Sequence, residues 1–166
     1  MPTTVPRKTS ARKASTRSPK PKPGPTNMGR VTTEALIENF GDLYLVDQGM
    51  LKPREVRRVL VRDALADTGS TMLSMPAKLI KQLGLAKWGE RVITTTAGNH
   101  VMGLFGPVKL TIQGRFCTMD VVEVPNSVPV LIGQLPLEHL DFVVDPRRRR
   151  LIGNPAHGGE HMFESF

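Results

Sequence analysis

Ala64-Leu65-Ala66-Asp67-Thr68-Gly69-Ser70 decides the reading of this 166-residue chain. An apolar run closes on an acidic residue, a hydroxyl residue and a glycine, which reads as a strand running into a tight turn. Gly69 permits close backbone approach there. Thr68 brings a hydroxyl able to bond a facing loop, and the Ser70 hydroxyl is placed to bond the Asp67 carboxylate. At average residue usage such a tripeptide arises by chance in a chain this long roughly a few per cent of the time. Its weight therefore comes from its surroundings. The motif occurs once.

Outward from this motif, strand-like segments dominate. Residues 31–40, 43–48 and 55–66 read as strands, the first two around a Gly41-Asp42 turn. Residues 75–85 read as a helix: Pro76 suits a first turn, Leu79, Ile80 and Leu83 share a face, and Gly84 suits its end. Residues 91–96 and 101–105 flank Ala97-Gly98-Asn99-His100, a hairpin signal, and 108–112 and 116–124 flank a second turn at Gln113-Gly114. Residues 128–132 form a short apolar strand ending at Gly133. A helical turn over 135–140 and a last strand over 142–144 follow. Many short strands with one or two short helices predict an all-β fold, a closed barrel or sandwich.

The net charge of +8 is unevenly spread. Residues 1–30 carry eight Lys and Arg and no acid, and the remaining 15 basic residues face all 15 acids. Six of the 14 prolines lie in residues 1–27 among Ser, Thr, Lys and Arg. This composition predicts a disordered basic tail over 1–30. A domain over 31–155 and a flexible, glycine-bearing tail over 156–166 complete the expected organisation. The only cysteine, Cys117, excludes an intrachain disulfide and suits a buried strand position. No apolar run approaches the ~18 residues of a bilayer span, and no signal-like apolar segment opens the chain. A cytoplasmic location without membrane association is the expectation.

About sixty residues after Asp67, Val130-Leu131-Ile132-Gly133 repeats the scheme of apolar residues and a glycine. Together with Ala66-Asp67-Thr68-Gly69-Ser70, Gln82-Leu83-Gly84-Leu85, Thr96-Ala97-Gly98-Asn99, Gly106-Pro107-Val108, Leu137-Glu138-His139-Leu140-Asp141, Val144-Asp145-Pro146 and Asn154-Pro155, it resembles the retropepsins. These are retroviral-type aspartic proteases, and the small bacterial and archaeal members are the most similar. The resemblance spans about residues 31–155. It implies a retropepsin-like barrel with one lobe per chain, and a homodimer with its cleft across the two-fold axis.

On that resemblance Asp67 matches the catalytic aspartate, Thr68 the hydroxyl that bridges the two active-site loops, and Gly69 the turn glycine, with Ser70 completing the loop. Ala97, Gly98, Asn99, His100 and Val101 would belong to a flap over substrate. Val128, Val130 and Leu131 would line side-chain pockets, and Gly133 would let a loop cross beneath the catalytic turn. Where retroviral members place an arginine after that glycine, this chain has Gln134, so the ion pair bracing the dimer there is absent. The sole tyrosine, Tyr44, lies outside the flap.

The implied activity is peptide-bond hydrolysis by water activated between two Asp67 carboxyls, with a protein or peptide substrate, no cofactor and no metal. Two close carboxyls cannot both ionise, so they share a proton and act as acid and base. The alternative is a catalytically silent module of the same fold that dimerises or holds peptides, tethered to nucleic acid by its basic tail. The tail reads equally as a nonspecific, salt-sensitive contact with nucleic acid and as a solubilising extension, with a pro-segment removed by the enzyme itself as a third reading; without aromatics it lacks stacking platforms for bases. A nucleic-acid-binding barrel with an incidental Asp-Thr-Gly fits the tail but not the formally neutral domain. His157 and His161 read as tail residues rather than metal ligands, residues 147–150 as a solvated basic turn, and Trp88 as packing at a barrel end.

Overall fold

A computed structural model describes residues 29–95 and 98–162. The basic tail up to residue 28, Thr96 and Ala97 at the expected hairpin turn, and residues 163–166 lie outside the described residues.

Among the described residues, nine strands and three short α-helices follow one another along the chain. In order they are β1 (Val31–Asn39), α1 (Phe40–Asp47), β2 (Arg58–Ala66), β3 (Leu73–Pro76), α2 (Ala77–Leu83), β4 (Lys87–Thr95), β5 (Gly98–Ile112), β6 (Arg115–Val124), β7 (Leu131–Ile132), α3 (Gln134–His139), β8 (Phe142–Asp145) and β9 (Arg150–Gly153). Strands β1, β2, β7, β3, β6 and β5 are hydrogen-bonded in that order, and β5 returns to pair with β1. The result is a closed six-stranded barrel. β4 hangs from β5 outside the ring, and β8 and β9 form a separate two-stranded ribbon.

Alternation builds this closure. Along β5, Leu104, Val108, Leu110 and Ile112 point inward at every second position while their neighbours stay half-exposed. Val31, Ala35 and Ile37 do the same on β1. With Leu73, Met75, Leu83, Ile132 and Leu140 they fill a core of aliphatic side chains. Cys117 is buried among them on β6, as its strand position predicts.

Several expected boundaries move. Residues 43–48 are not a strand but most of α1. The Asn39 side chain accepts the Asp42 N–H at 3.1 Å and caps the helix. Asp42, buried, is gripped by Arg57, with Nη2 donating to Oδ1 at 2.6 Å and Nε to Oδ2 at 2.8 Å. Asp42 is held below the ordinary carboxylate range first by this side-chain hydrogen bond. The expected helix over 75–85 begins only at Ala77. Leu73–Pro76 is instead a fully buried strand between β7 and β6. The segment 55–66 is a strand only from Arg58, after a 3-10 turn at Pro53–Glu55. The strand over 128–132 shrinks to Leu131–Ile132, and β9 was not expected at all.

The expected tail beyond 155 starts with a 3-10 turn, Pro155–His157. His157 Nδ1–H donates to Asp141 Oδ2 at 2.8 Å, and the Met162 N–H donates to the same oxygen at 3.2 Å. Residues 156–162 are thereby tied to the body of the domain. No helix among the described residues is long and apolar enough to cross a membrane.

Candidate active site

Asp67 stands where β2 runs out of the barrel. β2 is parallel to β7, with Leu65 opposite Leu131 and Ala66 opposite Ile132, and β7 is antiparallel to β3 at Ser74–Leu131. Consecutive strands β2 and β3 are thus separated by β7, which arrives sixty residues later. The link between them, residues 67–72, must cross the end of β7.

Backbone bonds hold that crossing. The Leu65 N–H donates to the Val130 carbonyl and the Asp67 N–H to the Ile132 carbonyl, each at 2.9 Å. The Ser70 N–H donates back to the Asp67 carbonyl at 3.0 Å. From below, the Gln134 N–H donates to the Ser70 carbonyl at 2.8 Å, and the Leu135 N–H to the Thr71 carbonyl at 3.0 Å. Gly133 makes the approach possible. A Cβ there would stand 2.5 Å from the Met72 carbonyl oxygen and 2.7 Å from the Ser70 carbonyl oxygen. The glycine is needed for space, since its φ of −77° suits any residue.

The loop itself is open. Asp67 is half-buried, and Thr68 and Gly69 are exposed. The Gly69 N–H donates to Asp67 Oδ1 at 3.0 Å, which fixes one carboxylate oxygen. Ser70 does not bond the carboxylate as expected; its hydroxyl donates to the Met72 carbonyl at 3.4 Å. Gln134 donates through Nε2 to Glu138 Oε1 at 2.7 Å.

A cleft of about 430 Å³ separates Gly69, Ser70, Thr71 and Met72 on the loop side from Arg91, Val92 and Thr94 on β4. β4 and β5 form the expected hairpin. Thr95 is opposite Gly98 at its end, and the Thr94 hydroxyl bonds Asn99 Oδ1 at 2.9 Å. No family model matches the chain, and no curated protein matches it.

The remaining expected site residues are dispersed. Gly98 and Asn99 sit at the hairpin end, while His100 and Val101 border a separate hollow with Glu123 and Pro125. Ala97 lies outside the described residues. Val130 is only 3 % exposed and belongs to the core, so it is not a pocket residue. Its side chain is inward because β2 takes up its carbonyl. Val128 and Leu131 are half-buried, and neither borders the cleft among its described lining residues. Trp88 is largely exposed, with its indole N–H donating to the Gly106 carbonyl, rather than packed at a barrel end. The sequence reading missed Met72, Arg91 and Thr94 as cleft residues. Their position depends on how the hairpin folds over the loop, which no local pattern encodes.

Proposed function

We propose that the chain is an aspartic endopeptidase of retropepsin type, active as a symmetric homodimer in which two copies of Asp67 face one another. The observation that carries this reading is the braced loop: Asp67 stands on a turn hydrogen-bonded from two sides, and the residues that follow it, Gly69 to Met72, line a cleft faced by β4. A loop built this firmly is suited to holding a carboxylate against a second carboxylate that repels it. A two-fold axis beside the loop would supply that second group, since an isologous contact presents the same surface twice.

In the proposed reaction the ionised Asp67 takes a proton from water as the water oxygen attacks the peptide carbonyl carbon. The protonated Asp67 of the partner copy gives its proton to the carbonyl oxygen. The tetrahedral diol then collapses: Asp67 gives the proton it took from water to the nitrogen, the C–N bond breaks, and a diol hydroxyl returns its proton to Asp67 of the partner copy as the C=O bond re-forms, leaving a carboxylic acid and an amine. The apparent pKa values belong to the pair.

Incubating the purified chain with a mixed peptide library from about pH 4 to 7, the range in which a shared-proton pair operates, tests the reading. Cleavage that pepstatin-type inhibitors weaken and that Asp67→Asn abolishes, with the dimer intact, is expected. Full cleavage by Asp67→Asn would contradict it, and no cleavage by the wild type would favour the silent module.

A further inference from the structure

The cleft beside the Asp67 loop has an unbalanced lining. Met72, Val92 and Val122 line it together with the hydroxyls of Ser70, Thr71, Ser74 and Thr94; among its described lining residues Arg91 is the one charged group and none is a carboxylate. Arg91 lies on the exposed strand β4, opposite Met102. Its Nη1 donates to the Glu90 carbonyl at 3.2 Å, and it enters no ion pair among the described residues. A guanidinium offers five N–H donors in a planar fork, so most of its capacity faces outward.

Hydroxyls around a cation suit one kind of guest. A carboxylate accepts from the guanidinium in a bidentate pair and can take further hydrogen bonds from the Thr71 and Ser74 hydroxyls, while those of Ser70 and Thr94 already donate to Met72 and Asn99. The amide of the same shape presents an NH₂ to the donor fork and loses half of that pairing. An apolar side chain could pack against Met72, Val92 and Val122 but would offer the guanidinium no acceptor.

We propose that this cleft is a subsite for an acidic side chain, in which Arg91 reads a Glu or Asp of an extended peptide held between the Asp67 loop and the hairpin. The proposal rests on the endopeptidase reading for its consequence, a cleavage preference, but the pocket's affinity for a carboxylate stands separately. In a homodimer the pocket occurs twice, so an acid is favoured on both sides of the cut. The basic segment 1–30 contains no Asp or Glu, which makes it a poor substrate for its own domain.

Peptide pairs that differ only by Glu or Gln, with the difference moved one position at a time along the sequence, test this with the full chain. Two readouts are taken, cleavage (kcat/KM) and binding by fluorescence anisotropy. At one position on each side of the cut, Glu is expected to be favoured about tenfold over Gln, the size of a charge-assisted hydrogen bond. Added salt should shrink the ratio, Arg91→Gln should bring it near one, and Arg91→Glu should reverse it toward Lys peptides. Cleavage with no Glu–Gln discrimination at any position would overturn the subsite and leave the endopeptidase standing. Binding that discriminates without any cleavage would uphold the subsite and overturn the endopeptidase. No cleavage together with binding that does not discriminate would overturn both.

Discussion

The amide of Asp67 donates to the carbonyl of Ile132 at 2.9 Å, across 65 residues of sequence. That bond ties the end of β2 to a two-residue strand arriving from the far side of the barrel. The loop carrying the carboxylate is therefore set by long-range pairing as well as by its own turn, and Gly133, next to Ile132, is the point where the two segments come closest.

Gly133→Ala is expected to destabilise the domain. The added Cβ meets backbone atoms of Met72 and Ser70, which have no rotamer through which to give way. Overpacking of this kind costs about 1–3 kcal/mol. Thermal unfolding should show Tm lower by several degrees, and the variant should lose peptide cleavage by displacing Asp67. An unchanged Tm would mean that the loop is free to lift off β7.

Asp141 links acid sensitivity to the C-terminal segment. The His157 hydrogen bond, first, with help from the Asn154 side chain and the Met162 N–H, holds its carboxyl down at about 2 against the usual 3.8. A carboxylate with a depressed folded pKa adds stability that is fully present above the unfolded value and is lost as pH falls through the folded one. Tm should therefore drop between about pH 4 and pH 2 partly on this account. Asp141→Asn should lower Tm at neutral pH and flatten that acid limb. A variant with an acid limb as steep as the wild type's would remove Asp141 from the account.

Cys117 should be inert in the folded chain. Burial pushes its thiol up to about 11 and closes it to reagents. At pH 8 a disulfide reagent should modify the native chain at least about a hundredfold more slowly than the chain in denaturant, since only the thiolate reacts. Comparable rates would place Cys117 at the surface or report local opening of β6.

The fold was legible where local patterns decide it. Period-two burial on β1 and β5 announces strands, and Asp67-Thr68-Gly69 announces the turn after β2. Elsewhere tertiary partners override the pattern. Leu43, Tyr44, Leu45 and Val46 suit a strand, but the Asn39 cap and the Asp42–Arg57 pair wind them into α1. Leu73–Pro76 lacks alternation because both its faces are buried between neighbouring strands. At the site, Val130 is expected in a side-chain pocket, but it packs in the core just before β7. Arg91 carries no motif; it becomes a cleft residue through the hairpin's position above the loop.

The central claim is that Asp67 is half of a site completed by a second copy of the chain. Wild-type chain and Asp67→Asn are mixed in equal amounts, unfolded and refolded together at constant total concentration, and peptide cleavage is measured. If both carboxylates are required, only dimers of two wild-type chains cleave, and random pairing leaves about a quarter of the activity of pure wild type. Activity of about half, the value for chains that act singly, would contradict the account.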